Sequence, residues 1–444
     1  MEQRVTRRWL VGVALAAMLA VPTPCAWGQH RPGPPGGPPH RGEGKPLPSP
    51  PHKGPETPPP HKGPETPPRR PQVTVETLPN AAITVSRIRR LPENFQQVSS
   101  LCWSPDGRSL LVDRLRNGVY EMAVVDVPPE WHERKPLRER VLMSVPMTMR
   151  RHGQLQHRGT PRWRPGRPGQ FVFVSQMPQS RDYNASMPWN GWFCNLELGD
   201  MRQNRAVPLT QNNPSPQRPQ GAASPAFSPD GRLLFWCGVN GRDKENTMWG
   251  QRQMYLADVQ EKGGRTSLAN VRQVRHPESG SFVETYGFSR DGDALLYAAS
   301  QKERPWFFID LFGYDMKRGT LRNLTEDAHG WNRWASYSPQ GNKIIWSSTF
   351  GLINPNMGIG GSRWQLELRS ELWLMNADGS DKRRLTSFNR PDTIDNRLLG
   401  ITSYQHCYVG ESAWSPDGRT IAVVVHLSGQ VNSSIVVLLD VVAR

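Results

Sequence analysis

The chain has 444 residues, a formal net charge of +16 at pH 7 and 36% hydrophobic residues. A chain of this length buries a sizeable core, and its five cysteines are widely spaced without a CxxC pair, which argues against a disulfide framework. The basic excess does not indicate nucleic acid, because no series of aromatic residues for base stacking follows the basic run.

The first 28 residues have the pattern of an export signal. Arg4, Arg7 and Arg8 precede thirteen apolar residues at 9–21, a length typical of a signal-peptide core and too short to span a bilayer. The small residues of "AWG" predict cleavage after Gly28, and "TRRWLV" also resembles a twin-arginine signal, so both export routes stay open. We expect a periplasmic or secreted protein without a transmembrane segment in its mature form.

Residues 29–72 are dominated by proline, glycine, histidine and charged residues, and "PHKGPETPP" occurs at 51–59 and again at 60–68. Such a segment has almost nothing apolar to bury. We therefore predict an extended, polyproline-like tether, with a proline-rich ligand for other domains as the alternative. The folded domain is predicted to be 73–444.

One hairpin pattern recurs along the folded domain. In "WSPDG" an aromatic residue ends a strand, Pro105 sets φ for a turn, Asp106 bonds to its own backbone and Gly107 adopts positive φ. The spacing of the copies leaves room for two further strands after each hairpin. The aromatic residues before these turns, which we call anchors, are Trp103, Trp163, Phe227, Phe288, Tyr337 and Trp414.

Six units of four strands predict an all-β fold, a six-bladed β-propeller of four-stranded antiparallel blades. Each anchor is expected to pack against the neighbouring blade. The strands after Trp414 are one short of a full blade, whereas "AAITVSRIRRL" at 81–91 is a spare strand before the first hairpin. We predict that this N-terminal strand completes the last blade and closes the ring, which removes two exposed sheet edges.

The segments "LWLMNADGSDKRRLT" and "AWSPDGRTIAVV" resemble the repeat of the TolB-type propellers, the periplasmic component of the Tol–Pal envelope system. The resemblance covers residues 82–444. TolB has an additional α/β domain before its propeller, which residues 1–72 cannot supply. The resemblance therefore implies a TolB-like propeller without a direct role in the Tol system.

The loops between second and third strands, and those that lead into the next blade, emerge on one face of a propeller, and long loops on a rigid scaffold commonly carry function. Aromatic residues beside amides and carboxylates suit sugar rings or peptide backbones, with inter-blade packing as the alternative for each aromatic. The candidates for binding at the channel mouth are His157, Arg162, Glu284, Tyr286, Trp331, Asn332, Trp334, His406, Tyr408 and Glu411.

Residues 131–169 hold ten Arg or Lys and two Glu, a net charge of +8. This asymmetry predicts attraction to an anionic partner such as an envelope polysaccharide, a lipid head group or an acidic protein. A solvated basic loop is the alternative. The predicted basic patch consists of Arg150, Arg151, Arg158, Arg164 and Arg167.

Four histidines, His157, His276, His329 and His406, fall in loops that enter blades, where imidazoles from several blades can converge on a transition metal. The oligogalacturonate lyases resemble this repeat and carry a metal in such a place. None of the four lies in a tight His-spacing motif. We therefore predict no cofactor and no metal ligand, and keep a transition metal as the alternative.

The sequence has no GxSxG or HExxH motif, and "NADGSD" lacks the bidentate glutamate of a calcium loop. We expect a non-catalytic, monomeric propeller that binds a protein or an envelope polymer through its loop-rich face and channel mouth. The alternatives are a metal-assisted polysaccharide lyase and a carbohydrate-binding module, either acting on an acidic glycan. The pairing of Cys102, Cys194, Cys237 and Cys407 stays open, since disulfides are permitted outside the cytoplasm.

Overall fold

The predicted signal (1–28) and tether (29–72), together with Arg150 and Arg151 of the predicted basic patch, lie outside the described residues. The computed structural model describes residues 83–443 except for 93–96, 129, 134, 144–155, 181–184, 216–217, 244–248, 278, 302–306, 328, 353–366, 401–405 and 428–432.

The strands form six four-stranded antiparallel sheets, one for each predicted blade. Blade 1 consists of β2 (Val98–Trp103), β3 (Ser109–Arg116), β4 (Val119–Asp126) and β5 (Glu139–Leu142). Blade 2 consists of β6 (Arg158–Trp163), β7 (Gln170–Gln176), β8 (Cys194–Asp200) and β9 (Arg205–Pro208). Blade 3 consists of β10 (Gln220–Phe227), β11 (Leu233–Asn240), β12 (Arg252–Lys262) and β13 (Arg265–Val274).

The second half of the ring repeats this arrangement, and each blade is numbered from its innermost strand outward. Blade 4 consists of β14 (Ser279–Phe288), β15 (Ala294–Gln301), β16 (Ile309–Asp315) and β17 (Thr320–Asn323). Blade 5 consists of β18 (Asn332–Tyr337), β19 (Lys343–Ser348), β20 (Glu371–Asn376) and β21 (Arg383–Arg384). Blade 6 consists of β22 (Cys407–Trp414), β23 (Thr420–Leu427), β24 (Ser434–Ala443) and β1 (Ile83–Arg90).

The N-terminal strand closes the ring, as the strand count predicted. β1 pairs antiparallel with β24, with a register that runs from Ile83 opposite Ala443 to Arg90 opposite Val437. The buried Arg89 adds an ion pair across this seam, 2.5 Å from the Asp440 carboxylate. The predicted six-bladed β-propeller is confirmed.

The anchor hairpins share one hydrogen-bond pattern. In four of them the serine after the anchor donates to the aspartate two residues later, at 2.5–2.6 Å. This bond lowers the pKa of the aspartates Asp106, Asp230, Asp291 and Asp417. Each turn is therefore stabilised by its own four residues.

The hydrophobic core lies mainly between blades. Trp414 of blade 6 packs with Ile345 and Leu374 of blade 5, and Phe288 of blade 4 packs edge-to-face on Phe235 of blade 3. The anchors thus contact the neighbouring blade, because one sheet alone leaves a face uncovered. α1 (Ile394–Leu399) precedes blade 6, and within the described residues no helix is long and apolar enough to cross a membrane.

Candidate ligand site at the channel mouth

The six innermost strands surround a central channel with a volume of about 330 Å³. Neighbouring innermost strands contact each other around the whole ring, so blade 2 lies opposite blade 5. The anchor hairpins lie at the end of the channel where these strands stop. We call the other end, where the innermost strands begin, the channel mouth.

Every innermost strand carries a β-bulge at a similar height. The register shifts fall between Val98 and Ser100, Gly159 and Arg162, Ala223 and Ala226, Thr285 and Gly287, Arg333 and Ser336, and Val409 and Ser412. A bulge locally re-aims side chains, and this one turns the middle of each innermost strand toward the channel.

The residue at the bulge differs between the two sides of the channel. Three residues before the anchor, blades 1 to 4 have a small serine or threonine, whereas blades 5 and 6 have Trp334 and Glu411. Trp334 has φ of 52°, as Thr160 and Ser224 have 47° and 50° in their blades. A bulky residue in this left-handed region costs on the order of 1–3 kcal/mol, which the surrounding structure must offset.

A buried ion pair lies at the wall of the channel. Glu284, 4% exposed, accepts hydrogen bonds from Nε and Nη2 of Arg333 at 2.9 and 2.5 Å, and from the Tyr286 hydroxyl at 2.7 Å. Burial is the largest influence on the pKa of Glu284 and raises it, but Arg333, Arg252 and the Tyr286 hydroxyl together lower it by more, so this pKa lies below its ordinary value. A second pair joins Arg162 of blade 2 to Glu411 of blade 6 across the channel.

Aromatic rings surround the Arg333 guanidinium. Its central carbon lies 4.7–5.3 Å from the ring centroids of four aromatic residues from blades 3, 4 and 5 and their loops. Such cation–π contacts add to the pairing with Glu284 and hold the guanidinium plane in place. The four aromatic residues are Trp249, Phe282, Trp331 and Trp334.

A smaller pocket of about 70 Å³ lies at the mouth and shares Ser99, Trp189 and Trp334 with the channel. The shared residues therefore stand between the pocket and the channel. The full lining of the mouth pocket is Gln97, Val98, Ser99, Tyr120, Trp189, Trp249, Arg333, Trp334, Tyr408, His426 and Ser434.

Three rings of the mouth pocket are nearly parallel. Tyr408 and His426 stack at 4.5 Å with an interplanar angle of 9°, and Trp334 and Tyr408 lie 6.0 Å apart at 17°. Burial lowers the pKa of His426 to about 4, so this imidazole is neutral at pH 7. The wall at this side of the mouth is thus aromatic and uncharged.

Six of the predicted binding residues face these two spaces. Trp331 and Asn332 instead lie in the inter-blade core, where Trp331 stacks on Phe307 and Asn332 bonds to the Trp346 indole at 2.9 Å. The residues that line the channel or its mouth are Arg162, Glu284, Tyr286, Trp334, Tyr408 and Glu411.

The loop histidines occupy different surroundings. His157 is buried and accepts a hydrogen bond at Nδ1 from the Tyr120 backbone at 3.1 Å, while His276 contacts the Tyr297 hydroxyl at 2.8 Å and packs on Phe312. His329 is exposed, and His406 is half-buried directly before β22. Within the described part of the chain, no three His, Cys, Asp or Glu side chains are grouped to hold a metal ion.

The described arginines of the predicted basic patch lie at two ends of β6. Arg158, at its start, donates to the Met143 carbonyl at 2.6 Å, and burial lowers its pKa. Arg164 and Arg167 follow its end and both bond to Glu261 of blade 3, at 2.7 and 2.5 Å. These three side chains join segments of the propeller to one another.

Four residues that complete the mouth were not among the candidates from the sequence: Trp189, Trp249, Arg333 and His426. Trp189 and Trp249 lie in loops between second and third strands, which emerge at the mouth, so two tryptophans in corresponding loops of blades 2 and 3 were an available signal. Arg333 stands between two residues that were singled out, but only the bulge turns it toward Glu284.

No family model and no curated protein matches the chain. Among solved structures, TolB from Acinetobacter baumannii is 14% identical over 78% of this chain and 64% of its own, with a TM-score of 0.42. The strand pairing of the chain is that of a six-bladed β-propeller, and its repeat resembles the TolB type. An oligogalacturonate lyase in complex with manganese is 10% identical over 81% of this chain and 95% of its own, with a TM-score of 0.43.

A puromycin-hydrolyzing peptidase from Mycobacterium tuberculosis is also similar, at 13% identity over 75% of this chain and 44% of its own, with a TM-score of 0.42. Identities this low concern the fold alone. The chain spans less than two thirds of the TolB structure and of the peptidase.

Proposed function

We propose that the protein is an exported, non-catalytic binding module that takes a protein or an envelope polymer at its channel mouth. One observation carries the proposal: Trp189, Trp249, Trp334 and Tyr408, from four different blades, converge on one pocket at one end of the channel. The export pattern of residues 1–28 supports a site of action outside the cytoplasm.

The geometry of Trp334 supports a binding role. This residue keeps a backbone conformation that disfavours bulky side chains, and its half-buried indole separates the mouth pocket from the channel. Strained residues of this kind are found at ligand sites, where the surrounding structure over-determines them. Trp189 reaches the same boundary from the opposite side of the ring.

The pairing of the charged groups in the channel supports a role in binding rather than in catalysis. Glu284 is committed to Arg333, and Arg162 to Glu411. A general acid or base needs a pKa near the working pH, whereas pairing with Arg333 moves the pKa of Glu284 away from it. Such pairs fix the shape of the site.

A retention experiment tests this function. The full mature chain is immobilised and exposed to the protein and the polysaccharide fractions of an envelope extract. We expect retained material that a Trp189→Ala/Trp334→Gly double variant releases at least about tenfold more readily, because two aromatic contacts are lost. Glycine at 334 removes the ring and also accommodates the backbone.

The matched control is Phe350→Ala, which removes an exposed aromatic residue just beyond the mouth-side end of β19, outside the pocket lining. This variant should retain as much material as the unaltered chain, and mass spectrometry should find the eluted ligand unchanged. Equal retention by the double variant, or shortening of the ligand during incubation, would overturn the proposal.

A further inference from the structure

The class of ligand can be narrowed from the charge balance of the mouth. Arg333 is the cation of the pocket lining, and Glu284 already neutralises it through two hydrogen bonds. His426 is neutral at pH 7, and the nearest further cation of the channel wall, Arg162, is paired with Glu411. Among the described residues that line the pocket, an anionic ligand therefore meets no unpaired cation, and a cationic ligand meets no carboxylate.

The faces of the pocket suit a flat or puckered ring. Trp334, Tyr408 and His426 lie within 26° of parallel to one another and form one aromatic wall. Trp189, on the opposite side of the ring of blades, also borders the pocket. A ligand that enters between them buries apolar ring faces on both sides, which is the main source of affinity in concave sites.

Polar groups at the base of the pocket require hydrogen-bonding partners. Arg333 is 2% exposed and lines the pocket, and among the described residues its Nη1 donates no hydrogen bond. The Ser99 hydroxyl donates to Asp113 and so offers its oxygen as an acceptor. The Gln97 amide adds both a donor and an acceptor, whereas the Tyr120 hydroxyl is already hydrogen-bonded to Trp189 and Ser99.

We propose that the channel mouth binds an uncharged sugar residue at the end of a glycan chain, with its ring against Trp334 and a hydroxyl oxygen on Nη1 of Arg333. This inference rests on the proposed function and names the ligand class of that same site. A sugar combines an apolar ring face with hydroxyls that both donate and accept, which matches the lining.

Calorimetric titration with defined probes tests the inference. The probes are tetrasaccharides of glucose, mannose and N-acetylglucosamine, tetragalacturonate of the same length, and a tetraproline peptide. We expect at least one neutral tetrasaccharide to bind, and Trp334→Gly and Trp189→Ala each to weaken it about tenfold or more. Phe350→Ala should leave the affinity unchanged, and melting curves verify that every variant is folded.

Three outcomes would overturn the sugar assignment: no binding of any neutral probe, tighter binding of tetragalacturonate than of the neutral probes, or binding of the peptide alone. Loss of affinity in Phe350→Ala equal to that in Trp334→Gly would place the sugar elsewhere and also overturn it. The retention experiment separates these failures from the proposed function. If the retained material requires Trp189 and Trp334 for binding but is not a neutral glycan, the proposed binding function stands and only the sugar assignment fails.

Discussion

The two ends of the channel differ in how closely their residues repeat from blade to blade. At the hairpin end, nearly the same tetrapeptide recurs in most blades: four of the six turns have a serine–aspartate bond, and all six have a glycine of positive φ. At the mouth, corresponding positions hold Ser100, Thr160 and Ser224 in some blades but Trp334 and Glu411 in others.

Residues that repeat in every blade stabilise the scaffold, whereas residues that differ between blades mark a candidate site. A tight turn has the same local requirements in each blade, so the same residues recur. A ligand at the mouth is contacted by different blades at the same time, so the blades contribute different groups. The mouth is therefore recognised by the departure of its residues from the repeat.

The most severe test of this comparison removes the element that holds both ends in one ring. A chain that starts at residue 92 lacks β1 and leaves the edge of β24 unpaired. We expect it to aggregate or to lose its cooperative thermal transition, because the edge of the apolar strand β24 becomes exposed and the last blade loses a strand. A chain that starts at residue 73 is the control, and equal melting temperatures by circular dichroism would contradict the prediction.

The buried ion pair should matter far more than an exposed one. Glu284→Gln leaves Arg333 charged and buried, and we expect a loss of about 3 kcal/mol in the free energy of unfolding. Asp293→Asn breaks the surface pair with Lys317, which is 72% exposed at its side chain, and should cost less than about 0.5 kcal/mol. Urea unfolding of both variants measures the difference, and similar losses would show that the mouth pair is not a stabilising element.

The hairpin end allows a matched test of backbone and packing. Gly231 has φ of 69°, and an added Cβ would lie 2.6 Å from the Pro165 carbonyl oxygen, whereas Gly166 has φ of 71° with nothing within 4 Å. We expect Gly231→Ala to cost about 2–3 kcal/mol and Gly166→Ala about 1 kcal/mol, since only the first adds a clash to the strain. Equal costs in denaturant unfolding would mean that blade contacts do not constrain these turns.

The smallest expected effect is on the pH dependence of the free energy of unfolding. Since the pKa of His426 is about 4 when folded and about 6.5 when unfolded, the unfolded chain binds an extra proton between these values. Its contribution to stability is present above pH 6.5 and is lost as the pH falls toward 4. We expect His426→Phe to reduce the loss of stability between pH 7.5 and pH 5 by about 1–2 kcal/mol.

Phe350→Ala, which removes an exposed side chain without a titratable group, provides the control for this measurement and should keep the pH dependence of the unaltered chain. Because Arg333, Tyr120 and Tyr408 also line the pocket, the comparison is made between variants at each pH and not between single curves. If the free energy of unfolding changes with pH equally in His426→Phe and in the unaltered chain, the pKa of the imidazole is not lowered by folding.

Much of the fold was predictable from particular residues. The anchors from Trp103 to Trp414 located the innermost strands, and the spare strand at 81–91 predicted the closure that β1 makes. Of the candidate residues, Glu284 and Trp334 were found because they precede anchors. Trp331 and Asn332 fit the same rule but face the inter-blade core, where Trp331, just before β18, stacks on Phe307 and the Asn332 amide bonds to the Ile309 carbonyl and the Trp346 indole.

By itself, the sequence determined the turn chemistry, which depends on near neighbours, and the number of blades, which follows from a repeated period. The count of strands in that period also identified the closing strand. Only the tertiary structure decided the mouth. Glu284 and Arg333 are 49 positions apart, and Trp189 and Trp334 come from opposite blades. They meet because the innermost strands bulge at a similar height inside the closed ring, and no local pattern encodes the position of these bulges.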